Sequence, residues 1–257
     1  MGTTESELRT PVKTAQRTFK IIETIKKLDG ATLAELSDQI DLPKSSIHNY
    51  LRTLEHDGYI VKERKKYMVG LRFLDLGGFA RTQKGVYEIA KTEVDTIADK
   101  TGEQANLLVE QDGRGIILYR AQGSDAVRLD SYIGQCVNLH TTALGKTILA
   151  HLPESQQDEI IEHHGLQAKT EHTITDPEQL HNELTTIAES GVAYDREERV
   201  KGLYCVAVPI FKGDQIEAAI SISGPTSRMN KERINAETLP DLRSAANIIE
   251  LNWTFSR

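Results

Sequence analysis

The sequence predicts an α+β chain of two parts: a small, mostly helical N-terminal unit closed by a basic β-hairpin, then a larger unit with an antiparallel sheet flanked by helices. Three observations carry this expectation. Residues 14–56 show helical periodicity in three short blocks; residues 59–69 alternate on either side of a basic tip; and from residue 105 onward strands joined by tight turns interleave with helices.

The first block, Thr14 to Leu28, sets Ala15, Phe19, Ile22 and Ile25 at helical spacing and stops at Asp29-Gly30. Thr32-Leu33-Ala34-Glu35 has the form of a capping box, so a second helix starts at Thr32 and turns Leu33, Leu36 and Ile40 inward. Asp41-Leu42-Pro43 is a turn, and a third helix follows the proline. On it Ile47, Tyr50, Leu51 and Leu54 share one face, while Ser45, His48, Asn49 and Arg52 lie opposite. Tyr59–Glu63 and Lys66–Val69 read as strands of a hairpin, with Lys62, Arg64, Lys65 and Lys66 charging its tip. A short helix, a tight turn, a helix with one polar face and a basic hairpin together make a winged helix-turn-helix. Lys44, Ser45, Ser46, His48, Asn49 and Arg52 are the candidates for reaching base edges and phosphates, and Arg64 and Lys65 for holding phosphate from the wing.

Charge supports that division. Residues 1–84 carry fifteen Lys/Arg against eleven Asp/Glu, a balance of +4, and residues 85–257 carry sixteen against twenty-seven, a balance of -11. Only the first part can approach polyanionic DNA without repulsion. Arg72 to Lys84 forms one more expected helix despite Gly77-Gly78; placed between the two parts, it reads as a linker that pairs two subunits and relays state, with close packing or a bend as the use of its glycines. The expected domains are 1–70 (winged helix), 71–85 (linker helix) and 86–257 (the larger domain).

In the larger part, Val86–Thr101 is an amphipathic helix ending at Gly102. Strands are expected at Ala105–Glu110, Gly115–Ala121, Ala126–Tyr132, Val192–Asp195, Leu203–Phe211 and Ile216–Ser223. Helices are expected near Thr142–His151, Glu154–His163 and Pro177–Ser190, and a long one from Lys231 to Trp253 closes the chain.

Several function classes recede on the same residues. No run of eighteen apolar residues occurs and the N-terminus is polar, so the expected location is the cytoplasm and no membrane partner is expected. Cys136 and Cys205 are too few for a disulfide framework and lack zinc-site spacing. Leu144-Gly145-Lys146-Thr147 suggests a phosphate loop, but the glycine required five residues before Gly145 is His140. Cys205, His140 and Asp195 could be arranged as a nucleophilic set, although cysteine is among the most buried residue types. His163, His164, His172 and His181 lie among acidic residues without ligand spacing. No enzymatic activity, metal or cofactor is expected.

Read together, Leu33-Ala34-Glu35-Leu36, Leu42-Pro43-Lys44-Ser45-Ser46, Tyr67-Met68-Val69-Gly70, the run from His140 to Lys146, Gly191-Val192-Ala193-Tyr194-Asp195 with Glu197-Glu198, Gly202 to Ile210, and Ala218 to Pro225 resemble the IclR family of transcription regulators over almost the whole chain. The resemblance implies a winged helix joined through a linker helix to a GAF-like effector-binding domain. It further implies homodimers or homotetramers that repress or activate transcription, and a small carboxylic acid as effector. It places that acid against the amides of Ala143 and Leu144, with Asp195, Cys205, Ser221 and Ser223 as polar contacts and Leu129 and Val137 as walls. A helix start offers free N–H groups to a carboxylate, and Ser221 and Ser223 share a strand face. A two-fold protein of this kind is expected to read double-stranded DNA at a near-palindromic operator. The alternative from a different class is an architectural DNA-binding protein with a ligand-free C-terminal domain. The chain departs from many relatives at Ser46-Ile47-His48-Asn49-Tyr50, so no operator sequence carries over, and at Leu144, which is bulkier than the small residue often found there.

Overall fold

A computed structural model describes residues 11–128 and 131–255. The chain divides after Ala80 into two compact units.

The N-terminal unit holds α1 (Lys13–Lys27), α2 (Leu33–Gln39), α3 (Lys44–His56) and a hairpin of β1 (Ile60–Glu63) and β2 (Lys66–Val69). The capping box at α2 forms as expected: Glu35 N donates to Thr32 Oγ1 at 3.3 Å, and Thr32 N donates to Glu35 Oε2 at 2.7 Å. An Ala31–Tyr67 bridge stitches the helices to the wing, and Ile21, Ile25, Leu36, Ile47, Leu51, Leu54 and Ile60 form the core. The buried face of α1 differs from the expected one. Ile21 and Ile25 point inward, whereas Ala15 and Phe19 are exposed, because the small core reaches only the C-terminal half of α1.

Helix α4 spans Arg72–Thr82, two residues short of expectation, and α5 starts at Gly85. Its start is tied to the winged helix by Arg72, which lies over the Tyr59 ring and donates to Asp57 O, and by the Tyr59–Phe73 ring contact. No residue of α4 is buried, and nothing lies within 4 Å of a Cβ built on Gly77 or Gly78. The glycine pair therefore serves no close approach among the described residues.

The larger unit is one six-stranded antiparallel sheet in the order β5-β4-β3-β8-β7-β6, made of β3 (Gln104–Gln111), β4 (Arg114–Gln122), β5 (Cys136–Asn138), β6 (Ala193–Arg196), β7 (Leu203–Lys212) and β8 (Gln215–Pro225). One face packs under α5 (Gly85–Thr101) and α10 (Leu239–Phe255) through Leu107, Val109, Val206, Val208, Ile220 and Ile222. The opposite face, with Leu108, Ile117, Ala193, Ala207 and Ala219, is covered by α6 (Ala143–Ala150) and α8 (Pro177–Ser190), with α7 (Glu154–His164) beside them. Alternation along each strand thus serves two cores, the arrangement expected of an α+β sheet with helices on its faces.

Two expectations fail here. The strand expected at Ala126–Tyr132 is absent from the described residues of that stretch. The chain turns at Gly123 instead, with Gly123 N bonded to Glu103 O and Asp125 N to Gly102 O, and β5 takes the edge beside β4. The closing helix is not uniform: a short α9 (Lys231–Arg233) runs through a π-turn at Ile234–Thr238 into α10. Pro240, which lacks an amide to donate, is the second residue after that turn. Among the described residues, no helix is long and apolar enough to cross a membrane.

Gly145 has a specific job. A Cβ there would lie 2.2 Å from Leu139 O, because a 3₁₀ turn at Leu139–Thr141 presses on the first turn of α6. Gly145→Ala is expected to lower stability by about 1–3 kcal/mol, read from the midpoint of urea unfolding; an unchanged midpoint would show that the turn yields freely.

Candidate functional site

In the N-terminal unit, Lys44, Ser45, His48, Asn49 and Arg52 are exposed along the outer face of α3 and Ser46 is half-buried, while Ile47, Leu51 and Leu54 anchor the inner face. Arg64 and Lys65 occupy the hairpin tip, beyond the Glu63–Lys66 pair. Arg64 adopts φ +56°, a left-handed conformation in which a non-glycine residue pays of order 1 kcal/mol. Lys62 lies over the Tyr67 ring at 5.2 Å, which leaves Arg64, Lys65 and Lys66 as the outermost charges.

The larger unit has a cavity of about 220 Å³ between the sheet and α6. Val137, Ala143, Leu144, Asp195, Cys205, Ser221 and Ser223 all line it; Leu129 lies outside the described residues. The register explains why residues so distant in sequence meet. Gln104 pairs with Ser223, Ser223 with Cys205, and Cys205 with Asp195, so one polar row crosses β3, β8, β7 and β6. The adjacent row runs Asn106, Ser221, Ala207, Ala193. The small side chains of that second row let α6 approach, and its first turn points over them: Thr142 Oγ1 accepts from Gly145 N at 2.9 Å, while the Ala143 and Leu144 amides have no acceptor among the described residues.

The two serines are not equivalent. Ser223 Oγ accepts from Asn106 Nδ2 at 3.3 Å and lies against the Cys205 thiol, whereas Ser221 Oγ, equally buried, has no partner. A buried hydroxyl left unpaired costs about 1–3 kcal/mol, so Ser221 is the position where a ligand would recover the most. Gln104 Nε2 in turn donates to Asn106 Oδ1 at 2.8 Å and to Ser131 Oγ at 3.2 Å. Sequence reasoning missed Gln104, Asn106, Ser131, Arg128, Arg199 and Thr142 among the lining residues. The signal available for the first two was a pair of polar residues, two apart, in the otherwise apolar strand 104–109.

Asp195 and Cys205 do not form an activated nucleophile. Burial, and then the neighbouring Asp195, push the thiol well above its ordinary range, the opposite of what thiolate chemistry needs. His140 lies in the turn before α6, bonded to Gln167 O, and does not line the cavity. Lys146 is fully buried and its ammonium is committed to Glu198, at 2.7 Å to both carboxylate oxygens, and to Glu183 at 3.5 Å. His181 pairs with Asp158, and His164 with Asp112 O.

Both halves of the chain match known families. Residues 14–64 match the IclR helix-turn-helix domain and residues 79–251 the bacterial transcriptional regulator IclR C-terminal domain. The chain is 32% identical over 237 residues, 90% of each chain, to a protein of Halobacterium salinarum named "Probable HTH-type transcriptional regulator ArcR". It is 31% identical to the transcriptional repressor IclR of Escherichia coli, covering 87% of this chain and 84% of that one. Among solved structures, the Thermotoga maritima IclR superposes with a TM-score of 0.76 at 29% identity, over 94% of this chain and 99% of the other. An IclR homolog of Microbacterium hydrocarbonoxydans, crystallised with 4-hydroxybenzoate, shares the fold with a TM-score of 0.80 at 22% identity, over 95% and 100%.

Asp195 yields a pH prediction. Burial, and then the charge of Glu198, raise its pKa from 3.8 to about 7, against the amides of Glu198 and Arg199 and the charge of Lys146, which pull it down. The folded chain therefore keeps a proton that the unfolded chain loses near pH 4, so this group makes stability fall as pH rises from 4 to 7, with the loss complete above 7. Asp195→Asn keeps an oxygen for both amides and removes the charge. It is expected to raise stability at pH 8 by of order a few kcal/mol and to change little at pH 4; equal effects at both pH values would show that Asp195 is ionised throughout.

Proposed function

The chain belongs to the IclR family of DNA-binding transcriptional regulators, and from that premise we propose that it is an effector-responsive regulator whose operator binding is set by a small carboxylate in the cavity beneath α6. The observation that carries this is the coincidence of free α6 amides and the unpartnered, buried Ser221 hydroxyl in the lining of one cavity. Free amides at a helix start favour negative charge, and a carboxylate there satisfies the amides and the hydroxyl together. The cavity's size, below the roughly 300–1,000 Å³ of pockets for drug-sized ligands, favours an acid of few carbons. The 4-hydroxybenzoate in the Microbacterium homolog is an acid of the same chemical kind. The raised Cys205 thiol and the absence of His140 from the cavity speak against a cysteine-dependent enzyme.

DNA is read by α3 and the wing, in the roles assigned above to Lys44, Ser45, Ser46, His48, Asn49, Arg52, Arg64 and Lys65. Two chains pair through α1 and α4: Val12, Phe19, Leu71, Leu74 and Phe79 are all exposed apolar side chains, and Gly77 and Gly78 leave that helix surface open to a second backbone. The paired chains meet a near-palindromic operator. The effector moves the operator equilibrium by its difference in affinity for two conformations, so operator and effector must alter each other's binding by the same factor.

Arg64→Ala combined with Lys65→Ala is expected to weaken binding to every duplex and to flatten the slope of log K against log salt by about 2, near 0.9 for each lost phosphate contact. Arg52→Ala or Asn49→Ala is expected to alter sequence preference as well. Arg64→Gly should weaken DNA binding while gaining of order 1 kcal/mol of stability, since glycine takes the left-handed conformation freely. An unchanged salt slope in the double variant overturns the wing assignment. In solution the protein should show at least twice the 28.7 kDa of one chain; a monomer with full operator affinity overturns the pairing.

A further inference from the structure

Among the described residues, the charged side chains that line the cavity are out of balance: Arg128 and Arg199 border it against one acidic residue, Asp195. Neither arginine forms an ion pair with a described residue, although other arginines of this unit are committed: Arg228 and Arg233 to Glu103, and Arg196 to Glu183. Arg199 is half-buried and lines the same cavity as the buried Cys205. Its loop is held in place from behind. Arg199 N donates to Asp195 Oδ1, and Glu198, one residue earlier, is gripped by Lys146 and by the hydroxyls of Thr170 and Thr173 on its carbonyl. Asp195 offsets the arginines only in part, because burial keeps its carboxyl partly neutral near pH 7.

One monocarboxylate would satisfy the α6 amides and Ser221 and leave the half-buried Arg199 without a counter-charge, where an unpaired charge weighs more than in water. A second anionic group on the ligand removes that imbalance. On the uncharged polar wall, Gln104 Nε2 spends both donors on Asn106 and Ser131, and Asn106 Nδ2 spends one of its two on Ser223, so this wall offers an anion little beside a guanidinium.

We propose that the effector is a small dicarboxylate held at both ends, one carboxylate on the Ala143 and Leu144 amides with the Ser221 hydroxyl and the other on Arg199. This rests on the reading of the cavity as a small-acid site and deepens it. The guanidinium fork suits a carboxylate bidentately, and the separation of the two anchors selects chain length.

The test compares malonate, succinate, glutarate and adipate with propionate, butyrate, pentanoate and hexanoate, each diacid against the monoacid of equal carbon number. Binding to the full-length protein is measured by calorimetry and by thermal shift. At least one diacid is expected to bind about tenfold or more tighter than its monoacid, as a charge-assisted pair at a partly buried site allows. Arg199→Gln should erase most of that advantage without changing monoacid affinity, Arg199→Lys should restore part of it, and Ser221→Ala should weaken both members of a pair. If monoacids bind as tightly as diacids and Ser221→Ala weakens them, the dicarboxylate assignment is overturned and the small-acid cavity stands. If neither series binds, the dicarboxylate assignment is overturned. A thermal-shift screen of keto, sugar and aromatic acids then decides the cavity reading separately: any acid that binds and loses affinity in Ser221→Ala preserves it, and none doing so overturns it too.

Discussion

The geometry of the cavity depends on a single buried ammonium. Lys146 has no solvent exposure, and removing either it or Glu198 would strand an uncompensated charge, a loss of about 3–5 kcal/mol in comparable cases. The pair joins α6, whose first turn carries the amides of Ala143 and Leu144, to the loop after β6 that carries Arg199, and both elements line one space. Gly145, one residue earlier, lets α6 lie against the Leu139–Thr141 turn, and Thr142 caps the helix so that its first amides face the sheet. A lysine following a glycine in Leu144-Gly145-Lys146-Thr147 invites a phosphate-binding interpretation. Here the charge is turned away from any ligand and used to hold the wall that ligands meet.

The sheet supplies the opposite wall through register alone. Antiparallel pairing sets Gln104, Ser223, Cys205 and Asp195 in one row, although Gln104 and Ser223 are 119 residues apart in sequence and Asp195 and Cys205 only ten. Alternation guarantees that the neighbours of this row, Ile222 and Val206, face the other core. A one-residue slip of β8 would bury the serines under α10 and bring isoleucines into the cavity, which is why the same strand pairing that stabilises the domain also defines the site.

Much of this was legible in advance, and the failures have physical causes. The capping box at Thr32, the polar outer face of α3 and the basic tip at Arg64 and Lys65 are local features, and local features survive folding. Seven of the eight residues expected at the cavity line it because they come from strands and a helix start whose facing is set by short-range alternation. Longer-range facts were not legible. Whether Ser221 or Ser223 is satisfied depends on Asn106, more than a hundred residues away, whose amide reaches only one of them. Phe19 fits the apolar spacing of α1, yet the winged-helix core is too small to cover it. Residues 126–132 have strand composition, but the turn at Gly123 carries them off the sheet edge that Cys136–Asn138 then occupies.

For an acidic protein to bind DNA at one place and the proposed small acid at another, local charge must be separate from global charge. The -11 balance of residues 85–257 would repel a small acid if it acted undiminished, but at physiological ionic strength exposed charges are screened beyond about 8 Å. Inside the cavity screening is weak, so the α6 amides and Arg199 dominate what a ligand meets after entry. The partly neutral Asp195 belongs to the same logic: a fully ionised carboxylate at that depth would oppose the ligand, and burial suppresses its charge without any cation being spent on it. For DNA the argument reverses. A polyanion spans many screening lengths and meets the N-terminal surface charge directly, so positive charge is needed where the duplex touches, and α3 and the wing carry Lys44, Arg52, Lys62, Arg64, Lys65 and Lys66 while α1 carries five more.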